Sequence, residues 1–268
     1  MNEVFGWRDA PEAQFAVIGH PINHSLSPKM HAAAFAARGL MSSYVAIEVH
    51  PGEIADALDH LAKLGYWGVN VTVPHKEDAF RWCDETTYVA QRLQVCNTLD
   101  LRKKLGTSTD GIGFRRSLDG FDFINRDVLV LGAGGSTRSV LESLLADGWN
   151  ITLWNRTRSK AEEMVTQFGF RATIVDHPIA EGKSLIVNTT SASLGGHHLP
   201  VDWKWASPDS LAYDLAYGNG LTTFLSDAHE HGVQTLDGRR MLMEQGAAAF
   251  EFWWDVVAPR KEMLAALQ

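Results

Sequence analysis

The stretch "DVLVLGAGGSTRSVLESLLADGWNITLWNRTRSK", residues 127 to 160, leaves few folds open. An apolar run ends in "GAGGST", a helical pattern opens on that turn, and a second apolar run follows. Strand, glycine turn, helix and strand in that order build a parallel sheet with helices on its faces. In this context the glycines have a mechanical purpose. Gly132 permits the tight turn, and Gly134 lets the backbone approach a pyrophosphate held at the helix N-terminus. Ala133, Gly135 and Ser136 complete the loop. The third position of the pattern is Thr137 rather than Gly or Ala.

The end of the second strand indicates which dinucleotide fits. A site for NAD usually places Asp or Glu about 20 residues on, to accept from the ribose 2′-hydroxyl. Here the strand ends in "NRTRSK", residues 155 to 160, without an acid. Arg156 and Lys160 can neutralise a 2′-phosphate, and Asn155 and Thr157 can add neutral hydrogen bonds. NADP is the expected cofactor.

The rest of the chain repeats the alternation. "FAVIG" (15–19), "YVAIEV" (44–49) and "VNVTV" (69–73) read as strands, the last with alternating valines on one face. "SPKMHAAAFAARG" reads as a helix with Ser27 as N-cap, Pro28 at its first position and Gly39 as its stop. "GEIADALDHLAKLG" puts Ile54, Leu58, Leu61 and Leu64 on one helical stripe. Strands are also expected at "SLIVNTT" (184–190) and "SLAYDLAY" (210–217), with helices between. The tail "RRMLMEQGAAAFEFWWDVV" is a helical pattern interrupted at Gly246. Parallel sheets bind ligands beyond the carboxyl ends of their strands. Asn70, Thr72 and Lys76 fall there, as does the loop "GHPINHSLSP" with Ser25 and Ser27. Taken singly, Ser27 reads as a helix cap, Lys76 as a surface lysine and Asp110 as a turn residue.

Bulk properties exclude several classes. The 268 residues are 45% apolar and 21% charged, as expected of a chain with a real core. A net charge of -8 gives no footprint for nucleic acid or an anionic membrane. No stretch approaches the roughly 20 apolar residues of a membrane span, and "MNEVFGWRDAPEAQ" lacks the pattern of a signal peptide. The two cysteines, Cys83 and Cys96, make no disulfide framework, so a cytoplasmic setting is the simplest reading. The eleven histidines include no HExxH or similar pair, and no metal is expected.

Over nearly its whole length the sequence resembles the shikimate dehydrogenase family. "GHPINHSLSPKMH" is similar to that family's substrate loop, and "GVNVTVPHK" to its lysine-bearing signature. "VCNT", "GTSTDGIGF", "GAGGS", "NRT", "NTTS", "YDLAY" and "DGRRMLMEQGAAAFEFW" follow in the family's order. The resemblance implies an α/β protein of two domains with a cleft between them. The first, residues 1–113, would be an N-terminal substrate domain with a mainly parallel sheet. The second, 114–236, would be Rossmann-like and bind NADP, and helices 237–268 would return to the first. The implied activity is reversible hydride transfer between NADPH and 3-dehydroshikimate, giving shikimate, in a monomer or homodimer.

Carried over by position, Lys76 and Asp110 are the implied catalytic pair, and Ser25 and Ser27 the implied carboxylate ligands. Thr72, Asn97, Tyr217 and Gln245 would hold the ring and its hydroxyls, with Leu215, Gly238 and Met241 beside the nicotinamide. The chemistry suits these groups. Hydride arrival leaves negative charge on the ketone oxygen, which a lysine ammonium can stabilise and protonate. The family usually has Asn where this chain has Ala32, and an amide where it has Ser108. These departures keep open a quinate/shikimate dehydrogenase on the same fold. A non-catalytic ligand sensor would have no use for the proton donor.

Overall fold

A computed structural model describes residues 3–218 and 220–268; Met1 and Asn2, which open the N-terminal stretch read above, and Asn219 lie outside the described residues. The chain divides into two compact units. One runs to Gly113 and also takes up Leu242–Gln268; the other is Phe114–Met241.

The first unit contains β1 (Val4–Gly6), β2 (Phe15–Gly19), α1 (Ser27–Ala37), β3 (Tyr44–Glu48), α2 (Ile54–Lys63) and β4 (Gly68–Val71). Then follow α3 (Lys76–Trp82), β5 (Glu85–Thr86), α4 (Tyr88–Leu93), β6 (Thr98–Asp100), β7 (Leu105–Thr107) and α5 (Asp110–Ser117), whose last turn enters the second unit. The sheet order is β1-β3-β2-β4-β6-β7-β5. Strands β1, β3, β2 and β4 are mutually parallel, whereas β6 runs antiparallel to both β4 and β7. Alternation along β2 divides its side chains between two cores. Ala16 and Ile18 pack with Leu58 and Leu61 of α2, and Phe15 and Val17 pack with Met30 and Phe35 of α1.

Local details depart from the sequence reading. Strand β4 stops at Val71, and all four of its residues are buried, so it has no solvated face. Both its neighbours are strands and both its faces are covered, which is why Asn70 is interior; Val73 lies beyond the strand and is 60% exposed. Ser27 is the first residue of α1 rather than its cap; Leu26 holds the cap position without a side-chain bond. Leu64 lies past the end of α2 and is largely exposed, so the buried stripe is Ile54, Leu58 and Leu61.

The second unit is β8 (Asp127–Leu131), α6 (Gly135–Ala146), β9 (Asn150–Trp154), α7 (Arg158–Phe168), β10 (Ala172–Ile174), β11 (Leu185–Asn188), β12 (Leu211–Asp214), α8 (Thr223–Glu230) and β13 (Gln234–Leu236). Its six strands are all parallel, in the order β10-β9-β8-β11-β12-β13. That is the doubly wound dinucleotide-binding order, and it reverses direction between β8 and β11. The crossover from β11 to β12 carries a short 3-10 turn, Ala192–Gly195, where an α-helix was expected.

Helix α9 (Arg239–Trp254) begins in the second unit, and α10 (Arg260–Ala265) follows it. Gly246 does not interrupt α9. A Cβ there would collide with Cε of Met30, so the glycine lets α9 pack directly on α1. Met243, Ala247, Phe250 and Trp253 join Phe15 and Phe35 in that core. No helix among the described residues is long and apolar enough to cross a membrane.

Candidate active site

In the first unit the central feature is an ion pair at two helix starts. Lys76 opens α3 and Asp110 opens α5; Nζ of Lys76 donates to Oδ2 of Asp110 at 2.5 Å. The two residues are only 9% and 5% exposed, so each charge depends on the other for compensation. The other carboxylate oxygen, Oδ1, accepts from Nδ2 of Asn97 at 2.8 Å. The same amide nitrogen lies 3.0 Å from Oγ1 of Thr109 and 3.3 Å from Oε1 of Gln245 on α9. Oδ1 of Asn97 in turn accepts from the Thr109 backbone N–H at 2.7 Å. Asn97 is therefore clamped, and it presents Asp110 to Lys76 in one orientation.

A second layer holds Asn97 from behind. Asn70 donates to the Asn97 carbonyl at 3.1 Å and to the Thr98 hydroxyl at 3.0 Å, and accepts from the Tyr44 hydroxyl at 2.7 Å. Tyr44 stacks on His31 with ring centroids 4.4 Å apart. Burial pushes His31 down to about 3, against a smaller opposing pull from the Asn70 side chain, so its imidazole is neutral. His75, adjacent to Lys76, is buried and points elsewhere, with Nε2 2.6 Å from the Val49 carbonyl.

Lys76, Asp110, Asn97 and Gln245 thus form one network. Thr72 packs its methyl against Gly19 at the end of β2. Ser25 and Ser27 are both buried, and Oγ of Ser25 accepts from the Ser27 backbone N–H at 3.3 Å. Of the departures from the family pattern, Ala32 is exposed on α1 and Ser108 is buried two residues before Asp110. The sequence reading passed over Gly113, whose missing Cβ lets α5 touch the Gln245 backbone. It also assigned no role to Thr109. The glycine-flanked "DGIG" is the signal that could have revealed the close approach.

In the second unit the glycine turn follows β8 at the point where the strand order reverses. Gly132 has φ +121, and a Cβ there would strike the Thr189 hydroxyl. Thr189 donates to the Leu131 carbonyl at 2.7 Å and lies 2.8 Å from the Thr137 hydroxyl, which accepts from the Gly134 N–H at 3.0 Å. The threonine at the third position therefore fastens the loop from inside. Gly134 itself is exposed, and a Cβ on it would meet nothing within 4 Å. Open space in front of the twelve-residue helix α6 is what a pyrophosphate requires.

At the end of β9, Arg156, Thr157 and Lys160 are exposed. The amide of Asn155 is already used, donating to the Thr157 carbonyl at 2.8 Å and shaping the turn. Arg158 is engaged by Glu162 and Asp176, which leaves Arg156 and Lys160 as the cations of this turn suited to a 2′-phosphate. These residues fit a bound NADP.

Leu215, Tyr217 and Gly238 lie in the same unit. A Cβ on Gly238 would overlap the Leu215 carbonyl, and Gly238 N–H donates to Ala216 at 3.1 Å. The turn after β12, on which Gly238 packs, hangs on Asp214, which the sequence reading did not single out. Its carboxylate accepts from Ala216 N–H, the Asn188 amide and the Thr222 hydroxyl, and burial pushes its carboxyl above the usual range. Met241 is buried early in α9. Among the described residues, no group of three His, Cys, Asp or Glu side chains assembles that could hold a metal.

Comparison with known proteins agrees along the chain. Residues 17–99 match the family model described as the shikimate dehydrogenase substrate binding domain. Residues 116–191 match that of shikimate/quinate 5-dehydrogenase, and 238–268 that of the shikimate 5′-dehydrogenase C-terminal domain. Among curated proteins, the shikimate dehydrogenase (NADP(+)) of Moorella thermoacetica is 40% identical over 261 residues, 91% of this chain and 88% of that one. Among solved structures, shikimate dehydrogenase from Aquifex aeolicus is 32% identical with a TM-score of 0.88, covering 97% of this chain and 99% of that one. The Thermus thermophilus shikimate 5-dehydrogenase, solved in complex with NADP(H) and shikimate, is 33% identical with a TM-score of 0.84, covering 94% and 97%.

Proposed function

The chain belongs to the shikimate dehydrogenase family, and on that premise we propose that it is an NADP-dependent shikimate dehydrogenase, reducing the ring ketone of 3-dehydroshikimate and oxidising shikimate in reverse. The observation that carries the reading is the buried Lys76–Asp110 pair with Asn97 and Gln245 gathered around it. The first unit takes the polyol acid, and the glycine turn of Phe114–Met241 takes the cofactor. NADPH, when bound, supplies the hydride.

Each residue has a defined task in this reading. The Lys76 ammonium faces the ketone oxygen, offsets the charge that develops there and delivers its proton. In the oxidative direction the neutral amine takes the proton back from the hydroxyl. Asp110 holds Nζ in place and accepts from a ring hydroxyl, while Asn97 keeps that carboxylate from rotating. Asn97, Gln245, Thr72 and Tyr217 fix the ring and its hydroxyls. Ser25 and Ser27 receive the substrate carboxylate at the start of α1, where the helix N-terminus favours an anion. Arg156 and Lys160 select the 2′-phosphate, with Leu215, Gly238 and Met241 lining the nicotinamide. The two free cysteines support a reducing, cytoplasmic setting.

Thermal denaturation with shikimate, quinate, NADP and NAD tests the assignment, since a ligand that binds the native state raises its apparent stability. Shikimate and NADP are expected to raise the midpoint, each more than its rival. A shift with quinate alone, or with NAD alone, would overturn the specificity.

A further inference from the structure

The only two cysteines of the chain meet next to the Lys76 network. A Cβ placed on Gly106 would lie 2.5 Å from Sγ of Cys83 and 2.5 Å from Sγ of Cys96, so the two sulfurs are within twice that distance of each other. Gly106 sits in β7 at an ordinary φ. Here the glycine serves space rather than backbone conformation, and its bare Cα makes room for both thiols. Cys83 follows the last residue of the helix that Lys76 begins. Cys96 donates its backbone N–H to the Lys76 carbonyl at 2.9 Å, and its neighbour is Asn97, which holds Asp110. The thiols therefore sit on two segments, one that begins at Lys76 and one that leads into Asn97, the residue that holds Asp110.

We infer that Cys83 and Cys96 are a peroxide-sensitive dithiol that closes to an intramolecular disulfide, and that closure slows hydride transfer at Lys76. The second half rests on the dehydrogenase reading; the first does not. Cys83 is the half-buried member and Cys96 is fully buried, so an oxidant reaches Cys83 first. A hydrogen bond from the Cys96 thiol also holds the Cys83 thiol below its usual range, so Cys83, the more accessible of the two, is the nucleophile.

The chemistry balances with one peroxide. The Cys83 thiolate attacks a peroxide oxygen, the O–O bond breaks, and hydroxide leaves a sulfenic acid on Cys83. The Cys96 sulfur then attacks the Cys83 sulfur, the S–O bond breaks, and water departs with the Cys96 proton. Two thiols lose two electrons, and one hydrogen peroxide becomes two waters. Closure draws the sulfurs to about 2.05 Å. That movement pulls on the end of α3 and on the residue bonded to the Lys76 carbonyl, and a small displacement of a catalytic group costs rate.

The test treats the whole chain with hydrogen peroxide and follows thiol titre, intact mass, cross-linked peptides and the rate of NADP reduction by shikimate. Free thiols should fall from two to none, with the mass down by two hydrogens and a Cys83–Cys96 peptide pair present. The rate should fall roughly tenfold or more and return with dithiothreitol. The half-buried variant Cys83→Ser should keep its rate under peroxide. Thiols that stay at two, or that are lost with added oxygen and no linked peptide, would overturn the disulfide. A disulfide that leaves the rate unchanged would overturn the coupling. Reduced protein that turns over no substrate would fail the dehydrogenase reading, while mass and thiol titre would still decide the disulfide.

Discussion

Lys76 and Asp110, 34 positions apart in sequence, meet at 2.5 Å with almost no exposure to water. Burial of that kind is costly for either charge alone, so the pair persists only because each is held by the other and by further hydrogen bonds. Asn97 occupies the second carboxylate oxygen, and Asn70 anchors Asn97 from the sheet. The result is a lysine whose position is set by three elements, α3, α5 and the segment before β6. Such rigidity is what a proton donor needs if its reach to a ketone oxygen is to be reproducible.

The glycine turn separates folding from binding. Gly132→Ala places a side chain at φ +121 against Thr189 and should cost about 1–3 kcal/mol of stability. Gly134→Ala meets open space and should leave stability within about 0.5 kcal/mol. The same alanine would stand where the pyrophosphate approaches, so the KM for NADP should rise at least about tenfold, or roughly 1.4 kcal/mol. Urea titration and steady-state kinetics on the two variants check this; loss of stability in Gly134→Ala would contradict it.

Cofactor choice should depend on Arg156. Removing a charged hydrogen bond to the 2′-phosphate costs about 1.5–3 kcal/mol. Arg156→Ala should therefore raise the KM for NADP by about 10- to 100-fold and leave the KM for NAD unchanged. Equal effects on both cofactors would show that the arginine does not read the phosphate.

His31 makes stability depend on pH. Burial holds its folded value near 3, whereas the unfolded chain binds a proton near 6.5. Between those values the unfolded state carries more protons, so stability is full above about pH 6.5 and falls as pH drops. At pH 5 the loss should be about 2 kcal/mol. His31→Phe keeps a ring against Tyr44 and should reduce the slope between pH 7 and 5, measured by urea unfolding; His75, which burial also holds below its usual value, supplies a remaining slope of the same sign. A variant with the unaltered slope would remove His31 as the cause.

Legibility in the sequence followed locality. The parallel sheets were readable because buried strands such as "FAVIG" and "VLVL" and helices such as α2 announce themselves within a dozen residues. Strands β6 and β7, three residues each, were not readable, because "TLD" and "LGT" carry no period and exist only through pairing. Lys76 and Asp110 are legible through motif resemblance, but no spacing in the chain tells that Asn97 holds the second carboxylate oxygen of Asp110. Asp214 and Thr189 were missed because their work is to fasten loops from inside, through partners 8 and 52 positions away. Gly246 reads as a break in the sequence because its partner, Met30, lies on a distant helix. Ser27 read as a cap because a helix start shows only which residues are near it, not which backbone angle begins it.

The role of Lys76 is tested most directly by NADP reduction with shikimate, followed by absorbance of the reduced nicotinamide, in the native sequence and in Lys76→Ala. Rapid turnover by the native sequence is expected, with a fall in kcat of about 10²- to 10⁴-fold in the variant. Lys76→Ala that retains the native rate, or native protein that binds both ligands without turning them over, would contradict it.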